Sequence, residues 1–284
     1  MNRARLFALA TVLPFASLPA ADERPYAVHP SFDLSYAGDA LPEHQLDVYS
    51  PKGVTNAPMF VFFHGGAWRS GDKFLCQNVG VALAGRGIVT AVPNYRLQPQ
   101  GAKHPDPVKD GAAAVAWLAK NAVKFGGDPG RIAIGGHSAG GHLASMLALD
   151  PKFLAGKLPK RAKINACVVI DGAGLDLAHA QERQPSLDDI YRGAFGDPAG
   201  WAAASPVSFV KKSLAPCPFL FVWGEKDELV PFEDTAALME KLREAGTRVE
   251  LERVPGQEHF AIVTGMGTAG DDVTPRIARF ILGL

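Results

Sequence analysis

A serine stands between two glycines in Gly136-His137-Ser138-Ala139-Gly140, with the apolar run 131–134 before it and a helical pattern directly after. A hydroxyl held on a sharp strand-to-helix turn is exposed for attack, and bulky residues on either side would collide with the backbone. The helix N-terminus that follows favours negative charge developing beside that hydroxyl. The pattern makes Ser138 a candidate nucleophile for acyl transfer.

A second glycine turn, His64-Gly65-Gly66-Ala67-Trp68, follows the apolar strand pattern 59–63. Acyl transfer needs backbone N–H donors aimed at the oxygen that gains charge, and glycines let the chain approach that closely. The N–H groups of Gly66 and Ala67, with that of Ala139, are the expected oxyanion donors. His64 and Trp68 are expected to brace the loop or line the pocket, with Trp68 as the substrate-binding residue.

Ser138 needs a base, because a serine hydroxyl is a weak nucleophile at neutral pH. Of eight histidines, His259 alone follows an acid near the later strands; it stands after the strand pattern 249–254 and the loop 255–258. His137 and His142 are too near Ser138 along the chain to face it from the other side. His29, His44, His64, His104 and His179 read as surface or loop-bracing residues.

Asp227 is the expected acid, placed to hold the imidazole in one tautomer and to stabilise its charged form. It sits in the loop opened by the apolar run 218–223 and closed by Val230-Pro231. Glu225, Glu228 and Asp171 compete for the role, and Asp171 ends the strand pattern 164–170. Glu258 neighbours the base but is expected to point to solvent. A G-x-G-x-x-G string at 265–270 has too little chain after it for a βαβ unit with its acidic residue, so it reads as a loop.

These residues need a scaffold, and the rest of the chain supplies one. Strand patterns at 44–49, 59–63, 87–93, 131–134, 164–170, 218–223 and 249–254 alternate with helical patterns at 108–124, 139–149, 232–245 and 272–282. Several strands are continuous Val/Ile/Phe runs, which suits burial on both faces of a mainly parallel sheet. The alternation predicts a doubly wound α/β fold. No helix separates the early strand pair near 32–49, so it should form an antiparallel edge. Residues 175–215 carry no strand signal but scattered aromatics, and read as a small insertion over the strand ends, a partial lid or a long surface loop.

The 284 residues hold 29 Lys and Arg against 29 Asp and Glu, which leaves no basic excess for nucleic-acid phosphates to hold. The basic stretch 157–163 reads as a solvated turn. At 47% hydrophobic and 20% charged the chain is an ordinary globular one, without disordered or fibrous character. Residues 1–20 have the pattern of an export signal: Arg3 and Arg5, an apolar run over 6–18, and small residues at Ala20 and Ala21. Residues 21–284 are then one domain, expected to be periplasmic or secreted. No later stretch is apolar enough to span a bilayer. Three cysteines allow at most one bridge. Cys167 reads as a buried thiol, and a Cys76–Cys217 pair stays open. No HExxH motif and no Cys/His cluster points to a metal.

Taken together, His64-Gly65-Gly66-Ala67-Trp68, Asn94-Tyr95-Arg96-Leu97, the segment 136–144, Gly224-x-x-Asp227-x-x-Val230-Pro231 and His259-Phe260 resemble an α/β-hydrolase esterase. The likeness is to the hormone-sensitive-lipase-like group, in the HGGxW branch with kynurenine formamidases and feruloyl or carboxyl esterases. It runs from about Gln45 to the end. Two departures are Ala67, where HGGG has its third glycine, and His137, where many lipase-like members have Asp. The resemblance implies a cofactor-free serine hydrolase acting on small carboxylic esters, with an aryl-formamidase as the alternative. In that branch the second glycine and its neighbour are the oxyanion donors, in agreement with Gly66 and Ala67.

Overall fold

The computed structural model describes residues 24–211 and 217–284, so the expected export signal at 1–20 lies outside the described residues. Among the described residues eight strands form one sheet: β1 (Val28–Ser35), β2 (Gln45–Pro51), β3 (Ala57–Phe63), β4 (Val89–Pro93), β5 (Gly127–His137), β6 (Ile164–Ile170), β7 (Phe219–Gly224) and β8 (Val249–Val254). Their order is β1-β2-β4-β3-β5-β6-β7-β8. β1 pairs β2, and β2 pairs β4, antiparallel; every later pair is parallel. The antiparallel edge and the parallel centre are those expected from the sequence.

Successive strand residues point to opposite faces, and the continuous apolar runs feed a core on each. In β3, Met59, Val61 and Phe63 join one core while Phe60 and Phe62 join the other. Helices α1 (Gln77–Ala84), α2 (Asp106–Asn121), α3 (Ala139–Leu149), α4 (Ala180–Arg183), α5 (Asp188–Phe195), α6 (Phe232–Glu244), α7 (Ala261–Thr264) and α8 (Val273–Leu282) cover the sheet. α2, α3 and α6 lie against the first core, α1 and α8 against the second. The described residues hold no helix long and apolar enough to cross a membrane.

The helical reading of the sequence misses α1. A β-carbon on Gly80 would lie 2.2 Å from the Tyr49 ring, so a glycine is needed in the middle of this helix for it to reach the sheet. That glycine weakens the local helical signal. The G-x-G-x-x-G segment is a loop, as expected, with Gly267 and Gly270 at φ of 80° and 81° and the Gly267 amide donating to Asp271.

The described part of the insertion, 175–211, contains α4, α5 and short 3-10 turns and no strand. Tyr191 and Trp201 enter the first core. Arg183 ties the segment to Asp234 of α6 at 2.9 Å, and the His142 ring bonds the Ala204 carbonyl at 2.7 Å. All three cysteines are free thiols. Cys76 lies in the second core and Cys217 packs on the first, so the bridge left open between them is not formed.

Candidate active site

Ser138 occupies the turn from β5 to α3 with φ 53° and ψ −120°, a left-handed conformation that an L-residue holds only under strain. The flanking glycines are there because backbone presses on them. A β-carbon on Gly140 would lie 2.0 Å from the Phe63 carbonyl oxygen, and one on Gly136 would lie 2.4 Å from the Gly140 carbonyl carbon. The Ser138 amide donates to Ile170 at 2.9 Å, and its carbonyl accepts from Gly141 and Ala173. These bonds lock the turn between β3, β6 and the helix. α3 is buried almost all round and begins at Ala139, so its N-terminal amides gather beside the serine.

The glycine loop after β3 comes to the same place. A β-carbon on Gly65 would lie 3.2 Å from the Ser138 β-carbon. Gly66 has φ 122°, and Ala67 and Trp68 follow at 55° and 56°, three successive residues with positive φ. The amides of Arg69 and Ser70 both close onto the Gly66 carbonyl. No acceptor among the described residues takes the N–H of Gly66 or Ala67, which leaves both free to donate. Gly66→Ala would press a β-carbon to 2.0 Å from the Ser70 carbonyl oxygen in a backbone region that L-residues avoid. It is expected to lower kcat by about 10²–10³, the loss typical of one oxyanion donor. Steady-state rates on an activated ester would check this, with a near-normal kcat as the contrary result.

The Asn94-Tyr95-Arg96 segment, whose part the sequence does not reveal, braces that loop. The Tyr95 hydroxyl donates to the His64 carbonyl at 2.8 Å, and its ring stacks on His64 at 4.4 Å. The Gln98 amide reaches the Trp68 carbonyl at 2.8 Å. Trp68 itself is 3% exposed, packed edge-on against His142 and Phe195 and beside Tyr191. Its indole therefore fastens the loop to α3 and the insertion.

The acid and base loops leave adjacent strand ends and pack together, with the Lys226 amide on the Gln257 carbonyl at 2.9 Å. His259 donates from Nδ1 to Asp227 Oδ2 at 2.7 Å, and both side chains are buried. The other Asp227 oxygen accepts the amides of Leu229 and Val230. Burial alone would raise the Asp227 carboxyl, but the bond from His259, its charge and those two amides outweigh it, so the group is held below the usual carboxylate range. Asp227 is ionised and takes the proton-bearing Nδ1 of His259, which leaves Nε2 as the ring nitrogen open to a further partner.

His137, next to Ser138, lies against His259 with ring centroids 4.5 Å apart, and its Nε2–H donates to the His259 carbonyl at 2.7 Å. Burial and the neighbouring His259 push its ring down to about 3, so it stays neutral. The sequence reading sets His137 aside as a base and misses this tie, which joins the serine turn directly to the loop of His259. Its only trace in the sequence is a histidine where lipase-like members carry Asp.

Asp171 is at the site too. It follows β6 with φ 42° and is 1% exposed. Its Oδ1 accepts the Gly224 amide at 2.9 Å, whereas Oδ2 has no partner among the described residues. Burial pushes its carboxyl up to about 8; the Gly224 amide opposes this and the charge of Asp227 adds to it. Between pH 4 and 8 the folded chain keeps a proton there that the unfolded chain releases, so stability is lost as pH rises through that window. The stability of Asp171→Asn relative to the parent should therefore grow by a few kcal/mol from pH 4 to pH 8. Denaturant melts at both pH values test this, and a difference independent of pH would contradict it.

One ligand-capable atom from each of His137, Asp171 and His259 lies within 4.8 Å of the others. Each ring is bonded through one nitrogen, His137 Nε2 to a carbonyl and His259 Nδ1 to Asp227, while Oδ2 of Asp171 has no partner among the described residues. Glu225 and Glu258, the neighbours of the acid and base in sequence, are exposed.

Comparison with known proteins agrees with this geometry. The BD-FAE family profile matches residues 46–242. Esterase LipC of Mycobacterium tuberculosis is 32% identical over 80% of this chain and 59% of its own length. The chain thus spans about six-tenths of the length of that curated relative. A truncated carbohydrate esterase from gut microbiota superposes with a TM-score of 0.77 at 25% identity, covering 93% of this chain and 98% of its own. A thermophilic esterase of Thermogutta terrifontis, solved with propionate bound, gives 0.70 at 27% identity, covering 92% and 95%.

Proposed function

The chain belongs to the BD-FAE family of hormone-sensitive-lipase-like α/β-hydrolases, and from that premise we propose that it is a serine esterase cleaving small carboxylic esters through an acyl-enzyme. The observation that carries the proposal is the meeting of a strained serine turn, two unengaged loop amides and a buried His259–Asp227 pair at one end of the sheet. His259 takes the Ser138 proton as the hydroxyl oxygen attacks the ester carbonyl carbon. The N–H groups of Gly66, Ala67 and Ala139 receive the oxyanion. His259 returns the proton to the departing alkoxide, and the alcohol leaves. Water deprotonated by His259 then attacks the acyl carbon and releases the acid and Ser138. Trp68 holds the donor loop from behind, against α3 and the insertion.

The esterase names of the relatives and the propionate in the Thermogutta terrifontis structure support esters with short acyl groups over the formamide alternative. Rates on p-nitrophenyl acetate and N-formylkynurenine test that choice, with the ester expected to be faster by tenfold or more in kcat/KM. A faster formamide would reverse it. A series of acyl chain lengths with a feruloyl ester added would place the acyl specificity. Residues 1–20 are proposed to direct export, and N-terminal sequencing of exported protein should begin near Ala21 or Asp22. Recovery of the chain in the cytoplasm with Met1 retained would reject export.

A further inference from the structure

Asp227 is the acid that touches His259, yet a second carboxyl is buried beside the same ring. A carboxyl oxygen of Asp171 lies within 4.8 Å of a ring nitrogen of His259 and of His137, which is at most about 2 Å beyond hydrogen-bond length. Asp171 reaches this place from a different strand, by a left-handed residue directly after β6. One oxygen is pinned by the Gly224 amide, at the start of the Asp227 loop, and the other is buried without a partner among the described residues. The titratable and charged groups facing it are Asp227 from the loop after β7, His259 from the loop after β8, and His137 from β5. None of these is a lysine or arginine, whose fixed charge would account for a buried carboxyl as half of an ion pair. A strained backbone, an unmatched oxygen and a stability cost meeting beside the catalytic base are characteristic of a group kept for function.

We propose that Asp171 is a positioning residue for the triad, a reserve acid that accepts the His259 Nδ1–H when Asp227 is absent. The proposal rests on the esterase reading above. With Asp227 cut back to alanine, the space beside Nδ1 is free and the Asp171 carboxyl turns into it. As an ionised carboxylate it then holds the same tautomer and stabilises the imidazolium. The burial that keeps Asp171 protonated near neutrality makes this substitution pH-dependent, because the reserve acid works only once its proton has left.

The test compares the parent protein, Ser138→Ala, Asp227→Ala and the Asp171→Asn/Asp227→Ala double variant on p-nitrophenyl acetate from pH 6 to 9. Loss of a triad acid with no substitute costs about 10⁴ in kcat. Asp227→Ala is expected to lose only about 10²–10³, with residual activity that climbs against the parent as pH rises. The double variant should lose a further tenfold or more and show no such climb. A role confined to packing would not move the pH profile. If Asp227→Ala already loses about 10⁴ and matches the double variant at every pH, Asp171 is no reserve acid, and the esterase reading stands. Turnover by Ser138→Ala would overturn both. Thermal melts accompany each variant, and Asp227→Ser serves in the same comparison if the alanine variant does not fold.

Discussion

Ser138→Ala is expected to lower kcat on an activated ester by about 10⁶ while leaving the fold in place. The size of the loss follows from the mechanism: without the hydroxyl there is no acyl-enzyme, and only the oxyanion donors and binding remain, worth about 10³–10⁴ over water. Structure is spared because the contacts that hold the turn belong to its backbone and its glycines. The Ser138 amide bonds Ile170, its carbonyl receives Gly141 and Ala173, and Gly136 and Gly140 make the close approach to β3 and α3. Alanine keeps all of these and tolerates the left-handed φ no worse than serine does. Stopped assays and thermal melts on the purified variant measure both halves, and retained turnover would reject the scheme.

His259→Ala is expected to cost as much, about 10⁶, and the Ser138→Ala/His259→Ala double variant no more than either alone. Serine and histidine act as one unit, since the hydroxyl attacks only as its proton passes to the imidazole. Removing one therefore leaves the other with nothing to do. The base is buried, fixed at Nδ1 by Asp227 and through its carbonyl by His137, and its loss vacates space without stranding a charge in a new place, because Asp227 keeps the amides of Leu229 and Val230. Additive losses, with the double variant far below both singles, would mean that the two residues work in separate steps.

The legible parts of this molecule were those that a local backbone requirement writes into neighbouring residues. Gly136-x-Ser138-x-Gly140 could be read because both glycines answer clashes within the turn and with the strand beside it. The continuous apolar runs of β3, β5, β6 and β7 could be read because each strand feeds two cores, and their alternation with helices pointed to a mainly parallel sheet. Asp227 and His259 were found by their places after strands, and the structure brings them to 2.7 Å across 32 positions of sequence.

What escaped the sequence depends on contacts between segments distant along the chain. α1 was hidden by Gly80, whose reason is the ring of Tyr49. Trp68 reads as a pocket residue because it follows the donor loop, but its indole is enclosed by His142, Tyr191 and Phe195 from α3 and the insertion. Nothing local to Trp68 announces those partners. His137 was dismissed on its distance from Ser138 along the chain, a correct argument against a base that says nothing about a bond to the His259 carbonyl 122 positions away. Asp171 was a rival acid at the end of a strand. Its burial beside the chosen acid shows that two strand ends converge on one imidazole, a fact that only the sheet order β6-β7-β8 supplies.

The most direct measurement of the central claim is covalent capture of the nucleophile. The intact protein is treated with a fluorophosphonate, and the modified peptide is located by mass spectrometry. An activated serine beside an imidazole and two loop amides should take up one phosphonyl group per chain, on Ser138 alone, with uptake abolished in Ser138→Ala and slowed by orders of magnitude in His259→Ala. An ester-hydrolysing protein that stays unlabelled at Ser138, or that labels at another residue and loses activity as it does so, would contradict the account.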